Sequence, residues 1–256
     1  MFPAAAPTVY RGEPFDGLAL PDHGEVWSSA FSVLSHNSSE AVMEMEGALM
    51  PYRLKKRFVL DKTCLRVEYT LTNLSDLAYR YIWAAHPMFA GCESYKVLLP
   101  DTVDRVTIGW GEGTAYTLGK EYSWPVITWD DGSRMDVSAA PQKDAGYCYK
   151  PVTVTPMTEG WCALVDTEAK YGLEICFDAE QTPFLGIWID GNGLSSKPQY
   201  DIAIEPSTTR SVYVEEQGRE DKGYLEAHQE KTWWISYKAG KYESYSQSAC
   251  RVEFSL

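Results

Sequence analysis

The chain has 256 residues, 45% of them hydrophobic, and a formal net charge of −13, enough length for a sizeable core under a strongly acidic surface. Such a surface gains nothing from counterion release on nucleic acid and is repelled by an anionic membrane, so neither is expected as a partner, and a highly phosphorylated substrate is disfavoured. No apolar run approaches the ~20 residues of a membrane helix, and the opening Met-Phe-Pro-Ala-Ala-Ala-Pro has neither a basic start nor a long apolar stretch, so a soluble, cytoplasmic protein without a signal peptide is expected.

Residues 1–22 are rich in Pro, Gly and Ala and read as a loop-like lead-in. Pro21-Asp22-His23-Gly24 is a turn sequence ahead of alternating residues, which puts His23 at the mouth of a strand. A single histidine there is more often solvated than functional. From 41 to 74 the period is two, and the runs 52–60 and 65–73 about the turn Asp61-Lys62-Thr63 predict half-buried antiparallel strands. Lys55, Lys56 and Arg57 read as a solvated strand face, from which one cation could reach a substrate oxygen. The run Tyr79-Arg80-Tyr81-Ile82-Trp83 predicts a buried strand that delivers His86, pinned by Pro87.

Between 91 and 151 short strands at 95–99 and 104–108 give way to Gly-rich and aromatic loops. Strands then resume at 152–155, 161–166, 171–178, 183–190 and 201–205, with a helical signal only near 221–228. Regular short strands with turn signals, and no linker or repeat, predict one all-β domain over residues 1–256, a large antiparallel β-sandwich. The six cysteines, Cys64, Cys92, Cys148, Cys162, Cys176 and Cys250, show no CxxC and no zinc spacing, and reduced, buried thiols account for them.

Chemistry is expected from histidine and carboxylate. His86 at the rim of a sheet can exchange a proton near neutral pH, although a lone histidine is more often a core residue bonded to backbone. Glu205 ends the apolar run Ile202-Ala203-Ile204, before a proline that cannot continue a central strand. Desolvation there should raise its pKa toward a general base's range, whereas a plain strand-end glutamate would pair with Arg210. Trp188-Ile189-Asp190-Gly191 could set an aromatic platform and a carboxylate beside Glu205, or could be an Asp-Gly turn over a core tryptophan. Aromatics are 13% of the chain, which suits either packed sheets or stacking on sugar rings. GxSxG, phosphate-loop, HExxH and dinucleotide signatures are missing, so chemistry without cofactor or metal is expected.

Four segments carry a resemblance. Pro21-Asp22-His23-Gly24-Glu25-Val26-Trp27, Ile82-Trp83-Ala84-Ala85-His86-Pro87-Met88-Phe89, Pro183-Phe184-Leu185-Gly186-Ile187-Trp188 and Ile202-Ala203-Ile204-Glu205-Pro206 follow the order seen in the aldose 1-epimerase (galactose mutarotase) superfamily. The chain resembles its aldose-epimerase-like members along essentially its whole length. The resemblance implies a β-sandwich holding a pyranose, with His86 as general acid on the ring oxygen and Glu205 taking the anomeric proton. The ring would open, rotate about C1–C2 and reclose as the other anomer. His23 matches a family histidine that hydrogen-bonds sugar hydroxyls, and stacking by Trp188 is inferred beside it. A non-catalytic carbohydrate-binding protein on the same fold is the alternative. A hydrolase or lyase would need a further carboxylate or base near Glu205.

Two departures stand out. Fewer residues precede the His23 segment than in the family, which suggests a shortened N-terminus and an open sheet edge that a second copy could cover, giving a homodimer. The family's sugar-binding aspartate has no clear counterpart among Asp130, Asp131, Asp144 and Asp190.

Overall fold

The structure, a computed structural model, describes residues 1–194, 196–197, 199–246 and 251–255. Alternation builds its strands as the sequence leads one to expect. In Cys64–Asn73, Val67, Leu71 and Asn73 are buried between partly exposed neighbours. Tyr52–Asp61 pairs along its whole length with that strand, Tyr52 opposite Asn73 and Asp61 opposite Cys64.

A nine-stranded antiparallel sheet runs in the order Ser32–His36, Glu40–Glu46, Tyr52–Asp61, Cys64–Asn73, Glu230–Ser246, Tyr171–Phe177, Trp161–Asp166 and Tyr95–Leu98, with Arg251–Ser255 added onto Glu230–Ser246. A six-stranded antiparallel sheet has the order Glu121–Ser123, Arg105–Glu112, Cys148–Thr153, Phe184–Gly191, Tyr200–Ser207 and Met88–Ala90. One hydrophobic cluster draws Leu54, Leu71, Ile175 and Ile235 from the larger sheet and Ile108, Ile187, Ile189, Ile202 and Ile204 from the smaller. Each such side chain contributes about 1.5–3 kcal/mol on burial, and together they make the all-β sandwich that the pattern predicts.

Several local expectations are corrected. The run 79–83 is not a sheet strand: only Tyr79–Arg80 is extended in a ladder, against Tyr224–Leu225. Beyond it the chain is buried on all sides, and its donors go to separate places. The amides of Tyr81, Ile82, Ala84 and Ala85 donate to the carbonyls of Gly223, Pro3, Met1 and Pro206, and that of Trp83 donates to the Thr208 hydroxyl. An apolar run therefore reports burial here without a ladder. His23 opens a 3-10 turn, Val26–Ser28, rather than a strand, because His23 and Gly24 both take positive φ, at 59° and 68°. The Glu205 strand continues through Pro206 to Ser207. Its proline is tolerated because pairing with Met88–Ala90 stops at Ala203, so no ladder partner asks for the missing N–H.

No α-helix forms near 221–228; the helical elements among the described residues are the 3-10 turns Val26–Ser28 and Val214–Glu216. Among the described residues no helix is long and apolar enough to cross a membrane. Cys148 and Cys162 are buried, Cys64, Cys92 and Cys176 are only partly so, and Cys250 lies outside the described residues.

Candidate active site

Register fixes what the smaller sheet presents on one face. Asp201, Ala203 and Glu205 alternate with Ile202 and Ile204, which point into the core. Directly opposite them stand Asp190, Trp188 and Gly186. The next strand sets Cys148 opposite Asp190 and Val152 opposite Gly186, which leaves Lys150 beside Trp188, and Trp110 is opposite Lys150. Directly opposed residues of antiparallel strands share a face. The result is a band of Trp110, Lys150 and Trp188 with Glu205 toward one end and Asp201 toward the other.

Glu205 is 2% exposed and has two cationic neighbours. The Lys150 ammonium donates to its Oε2. His86 brings Nδ1 to 3.0 Å from Oε1, close enough for an ion pair though without the alignment of a hydrogen bond. Burial alone would push the carboxyl up, but Lys150 and then His86 outweigh it and hold the pKa at about 2. The expected rise is thus reversed, because a lysine from a neighbouring strand supplies the charge that desolvation removes. Gly186 makes that reach available: a Cβ on it would lie 2.8 Å from Lys150 Cε. Arg210, the expected structural partner, instead reaches the Val154 carbonyl at 3.4 Å.

His86 is 27% exposed in its side chain. The His23 ring lies 5.2 Å from it, tilted by 43°, and Trp27 meets His23 edge-on. Burial lowers the pKa of His23, the nearby His86 adds to that, and Asp22 opposes it. The structure therefore groups His86, Glu205 and His23.

Trp188 is half-buried, tilted by 31° against Trp110 at 5.3 Å, and its indole N–H donates to Asp201 Oδ1 at 3.0 Å. Asp190 is not beside Glu205. It is fully buried four residues along its strand, where Oδ1 accepts the Gly193 N–H at 2.8 Å and closes the turn. Asp201 stands in its place as the carboxylate nearer His86; it is 8% exposed and also accepts from Gln199 Nε2 at 2.9 Å. Burial raises its pKa, and the Trp188 and Gln199 donors, with His86, only partly offset this. Lys150 and Asp201 are the residues that reading the sequence missed. Asp201 could have been found by counting back from Glu205 in twos. Among the described residues no group of three or more His, Cys, Asp or Glu side chains is arranged to hold a metal ion.

Glu205 borders a gap of about 10 Å³ with Lys150, Gly186 and Arg210. A cavity of about 290 Å³ continues along the same face past Thr107 and Phe184, under Arg210 and Tyr213.

No family model and no curated protein matches the sequence. Solved structures do. The Slr1438 protein of Synechocystis superposes with a TM-score of 0.69 at 14% identity, covering 94% of this chain and 76% of its own. A galactose mutarotase related enzyme from Lactobacillus acidophilus gives 0.64 at 16% identity over 94% and 82%, and a galactose mutarotase-like protein from Lactobacillus casei gives 0.62 at 15% over 93% and 83%. The large antiparallel sheets and these superpositions agree: the chain has the galactose mutarotase-like β-sandwich fold.

Proposed function

We propose that the chain is an aldose 1-epimerase-like isomerase that interconverts the α and β anomers of a hexose or related sugar. The observation that carries this reading is the approach of His86 to Glu205, residues remote in sequence, at 3.0 Å beside a half-buried tryptophan. With a pKa of about 2, Glu205 is deprotonated at neutral pH, the form needed to take the anomeric proton while His86 protonates the ring oxygen. Each carboxylate oxygen faces a cation, so one neighbour would move aside to admit the anomeric hydroxyl. Lys150 is the flexible one. His23, held toward its neutral form by burial, would serve as a hydrogen-bonding group for sugar hydroxyls.

One observation favours a second reading, a carbohydrate-binding protein without turnover: Lys150 covers Glu205 and makes it a weak base. Polarimetry or exchange NMR on freshly dissolved aldoses separates the two. An isomerase speeds anomer exchange at substoichiometric concentration, and a binding protein only gains thermal stability with sugar.

A second copy of the chain is proposed to pair on the Ser32–His36 edge, which is exposed throughout, Val33 to 58% and Leu34 to 53%. Pairing would satisfy open backbone groups and cover both side chains. A monomer at micromolar concentration in light scattering overturns it.

A further inference from the structure

The larger sheet holds a cation that the mechanism does not use. Its inward face carries Leu54, Val67, Leu71 and Ile235, all buried, and on that same face Lys56 stands opposite Tyr69, which is opposite Trp233. A lysine in such a row is uncommon, and when buried it is ordinarily paired. The adjacent Arg57, on the outer face, is held by Glu40 and Glu68, each at 2.9 Å. Lys56 has no carboxylate partner among the described residues. Its recorded contact is with the Phe31 ring, whose centroid is 4.4 Å from the ammonium. Lys56 is therefore not the solvated cation that its place in a basic run suggests.

Lys56 lines a cavity of about 210 Å³ together with Tyr69, Trp83, Tyr237 and His86. Burial raises the pKa of both the Tyr69 and the Tyr237 phenol, so each keeps its proton and can donate it. One lysine ammonium, two phenols and the Met1 amine thus border a hollow that the proposed general acid also borders; burial and then the nearby Lys56 lower the pKa of that amine to about 5, which leaves Lys56 as the charged amine at neutral pH. The charge of Glu205 is already answered by Lys150 and His86, whereas that of Lys56 is not.

We propose that this cavity is an anion subsite that takes the carboxylate of a sugar acid, so that the ligand class is a hexuronate rather than a neutral hexose. A single negative charge balances a single ammonium in a partly desolvated space, whereas a phosphate dianion would leave one charge unanswered. The phenols can donate to the carboxylate's remaining lone pairs. The assignment rests on the sugar-site reading only for where the ring lies, against His86.

The test is calorimetric binding of glucuronate and galacturonate against glucose, galactose and glucose 6-phosphate, on the wild-type chain and on Lys56→Met. The wild type should bind hexuronate roughly 10-fold more tightly than the parent hexose, as a charge-assisted contact requires. In Lys56→Met that ratio should fall to about one. Tyr69→Phe should reduce it by about threefold, the weight of one hydrogen bond. Equal wild-type binding of hexuronate and hexose, a preference that survives Lys56→Met, or tighter binding of the sugar phosphate overturns the proposal. Should Lys56→Met fail to fold, the wild-type ratio and Tyr69→Phe decide on their own. Lys56-dependent hexuronate binding without faster anomer exchange of any sugar would sink the isomerase reading and leave the subsite standing. Faster exchange of neutral hexoses without a hexuronate preference would do the reverse.

Discussion

Glu205 and Asp201 lie four residues apart on one strand and one face, are 2% and 8% exposed, and behave oppositely as acids. Glu205 meets an ammonium and an imidazole, and its pKa falls to about 2. Asp201 meets an indole N–H and an amide, and burial prevails, so its pKa rises. Burial common to both does not decide the sign. What decides it is whether the partner carries a charge, since neutral donors only partly offset the loss of water.

Removing the proton-handling pair should have the largest effect. Glu205→Gln or His86→Asn should slow anomer exchange by roughly 10²–10⁴, and polarimetry showing wild-type rates in either variant would end the acid–base proposal.

Lys150→Met tests the cause of the low pKa. Without the ammonium, the Glu205 pKa should climb back through the ordinary glutamate range, and the acid limb of the pH–rate profile should move to higher pH with it. Wild-type Glu205 is depressed relative to its ordinary 4.5, so its stabilising contribution is present above that pH and lost as pH falls toward 2. The variant should therefore be less stable by about 3 kcal/mol at neutral pH, with the gap closing below pH ~4.5 in chemical denaturation. Gly186→Ala should give the same pattern more mildly, because its Cβ would displace the Lys150 stem without removing the charge.

Asp201→Asn should show the opposite slope with the smallest effect, on the order of 1 kcal/mol. A carboxyl with a raised folded-state pKa loses stability as pH rises above 3.8. The variant should thus gain on the wild type between pH ~3 and ~7 in thermal melts, and a parallel pair of curves would mean that Asp201 is not raised.

The fold was legible because period two in stretches such as Cys64–Asn73 reports which face is buried, and burial organises a sandwich. Glu205 was legible for the same reason, as the polar residue closing an apolar run. Its proton affinity was not, because Lys150 sits in Tyr149-Lys150-Pro151, a stretch with no pattern of its own, and meets Glu205 only through a register two strands long. Asp201 was passed over as the start of a strand, although the parity that aims Glu205 aims it too. The run before His86 misled because apolar character signals an interior without saying which atoms satisfy its amides. Lys56 was masked by its basic neighbours, since one residue of shift reverses the side of the sheet on which a charge lies.

The stretch that carries His86 also bears on the order of assembly. Its amides are received by Met1 and Pro3 near the beginning of the chain and by Pro206, Thr208 and Gly223 near its end. Joining such distant partners takes longer than zipping the Tyr52–Asp61 and Cys64–Asn73 hairpin. During refolding this hairpin should close early, and the imidazole should find its station only after distant segments on both sides of it have arrived.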